Sequence, residues 1–193
     1  HTASVPLTGF GTTFIDYDLD GDLDLFVANG RVTRGATLKN SPRSSFWGRY
    51  AEPNQLFRND DGTFVDVSGA LGASHLNAVS RSSVVADVDD DGDPDLLVNS
   101  TGTGIRLLRN STESSKRWIK LKLRDASLGR DAIGARLSIH VAKQVRYRLY
   151  GTSSGYLSAS PTERVIGLPA EVENVKVEVH WPGGLKEIFQ NLK

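Results

Sequence analysis

The sequence predicts an all-β protein in which two antiparallel β-propeller-like blades are followed by a small β-sandwich-like domain. Three observations predict this fold class. Short apolar runs flank two acidic loops that repeat each other, apolar and polar residues alternate in the last third of the chain, and Gly, Asn and Pro separate the runs. Runs of this length with such punctuation are typical of strands rather than of helices.

The acidic loops mark the two predicted blades. Residues 16–27 read DYDLDGDLDLFV and residues 87–98 read DVDDDGDPDLLV, with five aspartates in the same register. An apolar run precedes each loop, and further runs containing LFRN or LLRN follow it. We therefore expect two repeats, over about residues 9–70 and 79–113, within a first domain of residues 1–113. The run TFVDV supplies a fourth strand to the first repeat, as in a propeller blade.

Two blades cannot close a ring, so we expect an open strand edge that carries unpaired backbone groups. The segment KRWIKLKLR follows the second repeat where its fourth strand is due. We expect this segment to cover the edge, with Trp118 at the junction and residues 111–116 as a tight connection. The alternatives are self-association through the edge strand and an edge that charged side chains protect from pairing.

The last part of the chain, residues 114–193, has the two-residue period of half-buried strands. In RWIKLKLR the residues Ile119, Leu121 and Leu123 share one face, and VKVEVHW alternates in the same way. Strands with one buried and one solvated face form small antiparallel sandwiches. We therefore expect a second β domain here.

A long insertion, residues 31–53, interrupts the first repeat. It is polar and without periodicity, and it contains Phe46, Trp47 and Tyr50. Loops of this length are uncommon unless they have a function. The aromatic residues either fix the insertion to the blade or form a recognition surface.

Composition excludes several classes of site. The chain has no cysteine, which rules out disulfides, thiolate metal sites and a cysteine nucleophile. It has no apolar tract long enough to span a membrane. It begins at His1 without a signal segment, so we expect it to be a processed or excised piece of a longer protein.

The zero net charge hides an asymmetry. Residues 1–115 carry 9 Lys and Arg against 16 Asp and Glu, whereas residues 116–193 carry 14 against 7. The two acidic loops hold most of the acidic excess. The basic excess lies largely on solvated strand faces, so by itself it does not predict nucleic-acid binding.

The spacing of the aspartates predicts a calcium ion in each loop. Five neighbouring carboxylates repel one another, and a hard divalent cation removes the conflict. Calcium takes six to eight oxygen ligands, and a loop with ligands at positions 1, 3, 5, 7 and 9 and Gly at position 6 can surround one ion. The predicted ligands are Asp16, Asp18, Asp20, Asp22 (through its carbonyl) and Asp24 in the first loop, and Asp87, Asp89, Asp91, Asp93 and Asp95 in the second.

Two features separate these loops from other acidic segments. A helix-loop-helix calcium site has Glu at position 12, where this chain has Val27 and Val98 inside apolar runs. A solvated acidic loop explains one cluster, but it does not explain the same alternate spacing and the same glycine twice. We therefore expect two bound calcium ions.

The repeats FIDYDLDGDLDLFVANG and VADVDDDGDPDLLVNS resemble the FG-GAP or VCBS repeat of integrin-like propellers. The segments RDAIGARLSIHV, SSGYLSASP and VEVHWPGGLKEIFQNL resemble the ASPIC/UnbV domain that follows such repeats in cartilage acidic protein-like proteins. The resemblance implies calcium-binding blades, an extracellular or periplasmic location, and adhesion or recognition rather than catalysis. The implied partner is an extracellular protein or a glycan, with no nucleic acid and no membrane span.

A hydrolase and a nucleic-acid binder are the alternatives to a recognition module. GTSSG, residues 151–155, satisfies the G-x-S-x-G pattern around Ser153, but a nucleophile elbow needs a helix after it and YLSASP is short and ends in proline. A hydrolase could instead use a carboxylate that is not among the predicted calcium ligands, such as Asp90. A nucleic-acid binder would use the basic C-terminal sheet and would show affinity that falls steeply with salt.

Overall fold

The computed structural model describes residues 6–39, 41, 46–74, 77–111 and 117–192, and this part of the chain is all β apart from two short 3₁₀ segments, Trp47–Arg49 and Ser68–Ser74. Several antiparallel sheets are present and none of them closes into a barrel. The predicted fold class is confirmed. No described helix is long and apolar enough to cross a membrane.

The first blade has the four strands that the sequence predicts. They are β1 (Gly9–Ile15), β2 (Asp24–Asn29), β3 (Gln55–Asp60) and β4 (Thr63–Asp66), hydrogen-bonded in that order. Asp61 and Gly62 form the turn between β3 and β4, and both have a positive φ, 50° and 88°. Two such residues in a two-residue hairpin match the twist of the flanking strands, which explains the Asp-Gly sequence there.

The second blade has three strands among the described residues: β5 (Val79–Ala86), β6 (Asp95–Thr101) and β7 (Gly104–Leu108). β7 pairs with β6 on one side only, and its residues Ile105 and Leu107 are 70% and 51% exposed. The expectation that KRWIKLKLR occupies the position of the fourth strand is wrong, because that segment pairs elsewhere. Residues 112–116 of the predicted connection lie outside the described residues.

The two blades share one apolar core and pack along β1 and β5. The buried side chains of this core come from both repeats and are Ile15, Phe26, Ala28, Leu56, Leu96 and Val98. The hydroxyls of Thr13 and Ser83 are hydrogen-bonded between the strands. A Cβ on Gly11 would lie 2.9 Å from Cα of Ser82, so glycine permits this close approach.

The insertion is fixed to both blades. The indole ring of Trp47 covers Gly102 in the β6–β7 turn, leaving no room there for a side chain. Glu52 is 1% exposed and accepts hydrogen bonds from Arg31 Nε (3.0 Å) and from the backbone N–H of Thr8 (2.8 Å). These contacts favour an anchoring role for Trp47 over a recognition role.

The C-terminal part has a four-stranded sheet as one layer. Its strands are β11 (Arg136–Val141), β12 (Gln144–Leu149), β16 (Val175–His180) and β17 (Lys186–Leu192), in the order β12-β11-β16-β17. The predicted alternation is confirmed in β16, whose three valines are buried while the residues between them are half-buried. One buried face is therefore available to pack against a second layer.

The second layer is a strand pair, β8 (Arg117–Leu121) with β15 (Arg164–Leu168). Ile119, Ile166 and Leu168 from this pair join the valines of β16 in one core cluster. Two short strand pairs complete the part: β9 (Arg124–Asp125) with β10 (Arg130–Asp131), and β13 (Ser153–Gly155) with β14 (Ser158–Ala159).

The β8–β15 pair also contacts the blades. Gly167 in β15 donates its backbone N–H to Asp16 Oδ2 (2.9 Å), and a Cβ at this position would overlap the carbonyl of Leu19. On the paired strand Trp118 lies against Gly92 of the second acidic loop. The strand that was expected to cover the blade edge therefore covers the acidic loops instead, and Trp118 contacts the second blade as expected.

We expect Gly167→Ala to lower the free energy of unfolding by about 1–3 kcal/mol, the usual cost of overpacking a buried site. The added methyl group must displace the backbone of Leu19, which cannot rotate away. Denaturant unfolding would measure the loss. Gly151→Ala is the matched control, because Gly151 has no positive φ and no heavy atom within 4 Å of an added Cβ. Equal stability of the two variants would contradict this packing.

Candidate metal centres

The two acidic loops have the same backbone conformation. The fourth residue of each loop is left-handed, with φ of 56° at Leu19 and 58° at Asp90. The sixth is a glycine with a φ of 87° at Gly21 and 92° at Gly92. Residues other than glycine rarely adopt a backbone φ near 90°, so glycine is required at the sixth position. The repeat seen in the sequence is therefore a repeat in structure.

Each loop brings carboxylates together. In the first loop Asp16, Asp18 and Asp24 each offer an oxygen atom within 4.8 Å of the others, and in the second loop Asp87, Asp89 and Asp91 do the same. Oxygen atoms at such separations can share one hard cation. These six of the ten predicted ligands meet in the expected places.

The remaining predicted ligands lie beside these clusters. Asp20 Oδ1 accepts the backbone N–H of Asp22 (2.8 Å), and Asp91 Oδ1 accepts that of Asp93 (2.9 Å), so these residues also shape the loop. Burial is the main factor that raises the pKa of Asp93, and nearby aspartates add to it. Metal binding stays a prediction for all ten aspartates, and Asp20, Asp22, Asp93 and Asp95 lie outside the two clusters.

The ninth residue of each loop ties the loop to the third strand of its blade. Asp24 and Asp95 are buried, 0% and 1% exposed. Asp24 accepts N–H groups from Tyr17 (3.1 Å) and Asn59 (2.8 Å). Asp95 accepts backbone N–H groups from the corresponding residues of the second repeat, Val88 (3.1 Å) and Asn110 (2.7 Å). Carboxylate oxygens have further lone pairs, so these bonds leave capacity for a cation.

Two asparagines, one in the third strand of the first blade and one just after the third strand of the second, were not singled out as functional residues from the sequence. Asn59 and Asn110 end the repeated segments LFRN and LLRN, which was the available signal. Asn110 also donates from its side chain to the carbonyl of Tyr17 in the other repeat (2.7 Å). This bond links the second blade to the first acidic loop.

Burial makes the first loop a poor place for unscreened charge. Desolvation raises the pKa of Asp16 to about 6 and that of Asp24 to about 7, against the opposing effect of their backbone hydrogen bonds. A cation among these carboxylates favours their charged forms and lowers both pKa values. The chemistry of the donor set therefore fits a hard divalent ion.

The second loop fits such an ion as well. Both carboxylate oxygens of Asp87 are buried, and neither has a well-aligned hydrogen-bond donor among the described residues. Among the described residues, the ammonium of Lys120 is the cation that pairs with Asp87, with Nζ 2.6 Å from Oδ2. A buried carboxylate of this kind is expected where a metal ligand is required.

The C-terminal part completes the surroundings of both loops. Arg146 Nη2 donates to the carbonyl of Asp20 and Arg148 Nη2 to that of Gly21, both at 2.7 Å. The guanidinium of Arg146 covers Gly21 much as the ring of Trp118 covers Gly92. Arg146 and Arg148 are more than a hundred positions from the first loop in the sequence, and nothing in the local sequence indicated their contacts. For Trp118 only a place at the junction with the second blade was expected.

The alternative catalytic residues lack the required setting. Ser153 is the first residue of β13, which forms a hairpin with β14, so the described chain has no helix after it as a nucleophile elbow needs. The side chain of Asp90 is 85% exposed and forms an ion pair with Lys120 (2.6 Å). The exposed carboxylate of Asp90 therefore does not resemble a buried, activated group.

Comparison with known protein families agrees with this geometry. Residues 16–98, which contain both acidic loops, match the family described as FG-GAP-like repeat. Residues 126–193, which contain the four-stranded sheet, match the family described as ASPIC and UnbV. No curated protein matches the chain. The chain is therefore similar to an FG-GAP-like repeat over residues 16–98 and to an ASPIC/UnbV domain over residues 126–193, the two families whose motifs its sequence resembles.

Proposed function

We propose that this chain is a noncatalytic recognition module of an exported protein, and that two calcium ions hold its acidic loops in shape. The observation that carries the proposal is the convergence of three carboxylates in each of two loops with the same spacing and backbone. Such clusters repel without a cation, and calcium is the common cation that accepts many oxygen ligands in flexible geometry.

The ions have a structural role in this proposal. Asp16, Asp18 and Asp24 would hold the first ion, and Asp87, Asp89 and Asp91 the second. When bound, each ion supplies positive charge that offsets the carboxylates. The loops in turn carry the contacts with the C-terminal part, through the carbonyls of Asp20 and Gly21 in the first loop. Calcium would thereby support the association of blades and C-terminal domain.

Both families suggest a noncatalytic module for recognition, and FG-GAP repeats are common in extracellular proteins. A calcium-rich compartment suits weak carboxylate sites, and extracellular modules bind calcium with dissociation constants on the order of 10⁻⁴–10⁻³ M. We propose an extracellular protein or a glycan as the partner. The arginines of β12 point toward loop carbonyls, which disfavours a nucleic-acid partner for them.

Calcium should bind with a stoichiometry of two ions per chain and well ahead of magnesium. Magnesium demands near-octahedral geometry and gives up its water reluctantly, so a flexible carboxylate loop favours the larger ion. Isothermal titration calorimetry on chelator-treated protein would measure both ions. The absence of calcium binding at millimolar concentration would remove the proposed function.

Removal of calcium should lower the melting temperature. At a free concentration 100 times the dissociation constant, an ion that binds only the folded state adds about 2.7 kcal/mol per site. For a domain of this size that corresponds to roughly 5–10 °C per site. Scanning calorimetry with calcium and with EDTA would show the difference, and magnesium at the same concentration is the control. Identical melting temperatures would contradict a structural ion.

Substitutions at two neighbouring positions distinguish a metal site with defined ligands from an acidic surface that attracts cations without fixed ligands. Asp91→Asn should weaken the second site at least about tenfold, since it removes a converging charged ligand. Asp90→Asn should change calcium affinity less than about threefold, because that side chain is exposed and outside the cluster. Asn also tolerates the left-handed backbone at position 90. Equal losses, measured by calorimetry, would indicate a patch.

The hydrolase alternative has a direct test. A serine-directed fluorophosphonate probe should leave Ser153 unlabelled, because a hydroxyl outside a nucleophile elbow has no activation. Intact-mass spectrometry would detect the adduct, with Ser153→Ala as the control. Stoichiometric labelling that the substitution abolishes would overturn the noncatalytic proposal.

A further inference from the structure

A cleft lies where the two blades and the C-terminal part meet. Phe14 lines it from the first blade, Val85 from the second, and Leu149 and Arg164 from the C-terminal part. Its volume is about 310 Å³, which is at the lower end of the range for sites that bind small ligands. Ligand sites occur preferentially at interfaces of this kind.

Hydrogen bonds between the parts of the chain hold the walls of the cleft in place. Ser160 Oγ in the C-terminal part accepts the backbone N–H of Val85 in the second blade (3.1 Å). Arg148 Nη2 donates to the carbonyl of Gly21 in the first acidic loop (2.7 Å). The cleft is therefore formed before a ligand enters, which lowers the free-energy cost of ordering a binding site.

Arg164 contributes a partly buried positive charge to this cleft. Its Nη1 donates to the carbonyl of Pro161 (2.7 Å) and to those of the two following residues, and its Nη2 donates to the carbonyl of Gly151. Within the described part of the chain, no carboxylate forms an ion pair with it. Burial lowers its pKa, yet a guanidinium stays protonated at neutral pH. Arg164 therefore presents a charge that carbonyl groups orient but do not neutralise.

The other charged side chains of the cleft each have a neighbour of opposite charge. These are Asp87 with Lys120, Glu163 with Lys122, and Asp16 with Arg148, which Asp22 also attracts. Burial is the main factor that lowers the pKa of Arg148, and the like charges of Arg146 and Arg164 lower it further. An anion bound at Arg164 would offset this repulsion between guanidinium groups.

Two exposed aromatic residues, Phe14 and Tyr147, also line the cleft. They are 59% and 72% exposed and belong to neither apolar core. Phe14 lies on the opposite face of β1 from the core residue Ile15. Aromatic rings offer a flat apolar surface, and the C–H groups on one face of a sugar ring pack against such a surface. The cleft thus combines a cation with the kind of side chain that a sugar ring contacts.

We propose that this cleft binds an acidic sugar unit of a glycan, with its carboxylate or sulfate group at Arg164 and its ring against Phe14. This inference rests on the proposed recognition function and assigns the chemical class of the ligand. A peptide fits less well, because an extended peptide would add to β12, an edge strand of its sheet. The carbonyl of Tyr147 in that strand already accepts Arg148 Nη1 (3.0 Å).

The test is isothermal titration calorimetry of the full chain in saturating calcium, with a tetrasaccharide that contains two glucuronate units. We expect one tetrasaccharide to bind per chain. The same tetrasaccharide with methyl-esterified carboxylates keeps the rings but loses the charge, and it should bind at least about tenfold more weakly. A sulfated tetrasaccharide of the same length shows which anionic group is preferred, and binding of either acidic ligand supports the site.

Arg164→Gln should weaken binding of the acidic tetrasaccharide at least about tenfold and change binding of the esterified one less than about twofold, because only the acidic form pairs with the guanidinium. Arg164→Lys keeps the charge and should lose less affinity than Arg164→Gln. Arg130→Gln is the matched control, since Arg130 is an exposed arginine of the same part of the chain and does not line the cleft. It should leave both affinities within about twofold. The melting temperature verifies that each variant is folded.

The contact with the sugar ring has a test of its own. Phe14→Thr should weaken binding of the acidic and the esterified tetrasaccharide alike, by about threefold or more, because the ring contact does not depend on charge. Phe64→Thr is the matched control. Phe64 is another exposed phenylalanine of the first blade, 42% exposed, and it does not line the cleft. Its substitution should leave both affinities within about twofold.

Three results would overturn the inference. The first is the absence of binding by either acidic tetrasaccharide, and the second is equal affinity of the original protein and Arg164→Gln for the acidic ligand. The third is tighter binding of an end-capped peptide with two glutamates, which carries the same charge without a sugar ring and would indicate a protein partner.

A calcium titration of the same sample keeps the proposed function separate. If two calcium ions bind and no acidic tetrasaccharide does, the assignment of the cleft is wrong while the calcium sites stand. If no calcium binds, the proposed function itself is wrong.

Discussion

Electrostatic repulsion within the acidic loops is the constraint on which the rest of this structure depends. Five or six carboxylates in nine residues cannot be folded closely unless positive charge or hydrogen-bond donors surround them. The protein supplies donors from three directions: the loop's own backbone, the third strand of the blade, and the C-terminal part. The association of the two parts of the chain thus completes the loops. Each part has its own apolar core, and contacts such as that between the rings of Phe10 and Tyr156 also join the parts.

Glycine at the sixth loop position illustrates how one residue meets two requirements. Its left-handed backbone allows the loop to turn, and the absence of a side chain lets Arg146 or Trp118 lie on it. From the sequence only the first requirement was apparent. The second depends on which residue of the C-terminal part contacts the loop. An arginine covers the first glycine and a tryptophan covers the second, so no shared sequence motif could have predicted both contacts.

Much of the fold and the core of the candidate sites could be predicted because they follow from local spacing. Period-two alternation specified the strands of the C-terminal sheet, and the repeated aspartates specified both loops. The missed contacts are long-range. The hydrogen bond between Gly167 and Asp16 joins residues 151 positions apart. The strand β8 pairs with β15, so KRWIKLKLR does not form the fourth strand of the second blade. Alternation describes which face of a strand is buried, but it carries no information on which strand is its neighbour.

The long separation between Gly167 and Asp16 has a consequence for folding. Asp16 leaves the ribosome well before Arg148 and Gly167, so the first loop exists for some time without the donors that complete it. Contacts of this sequence separation form late and slowly, because the entropy of closing a long loop opposes them. The first acidic loop is therefore synthesised early but matures late, and during that interval solvent ions are the main source of charge compensation for its carboxylates.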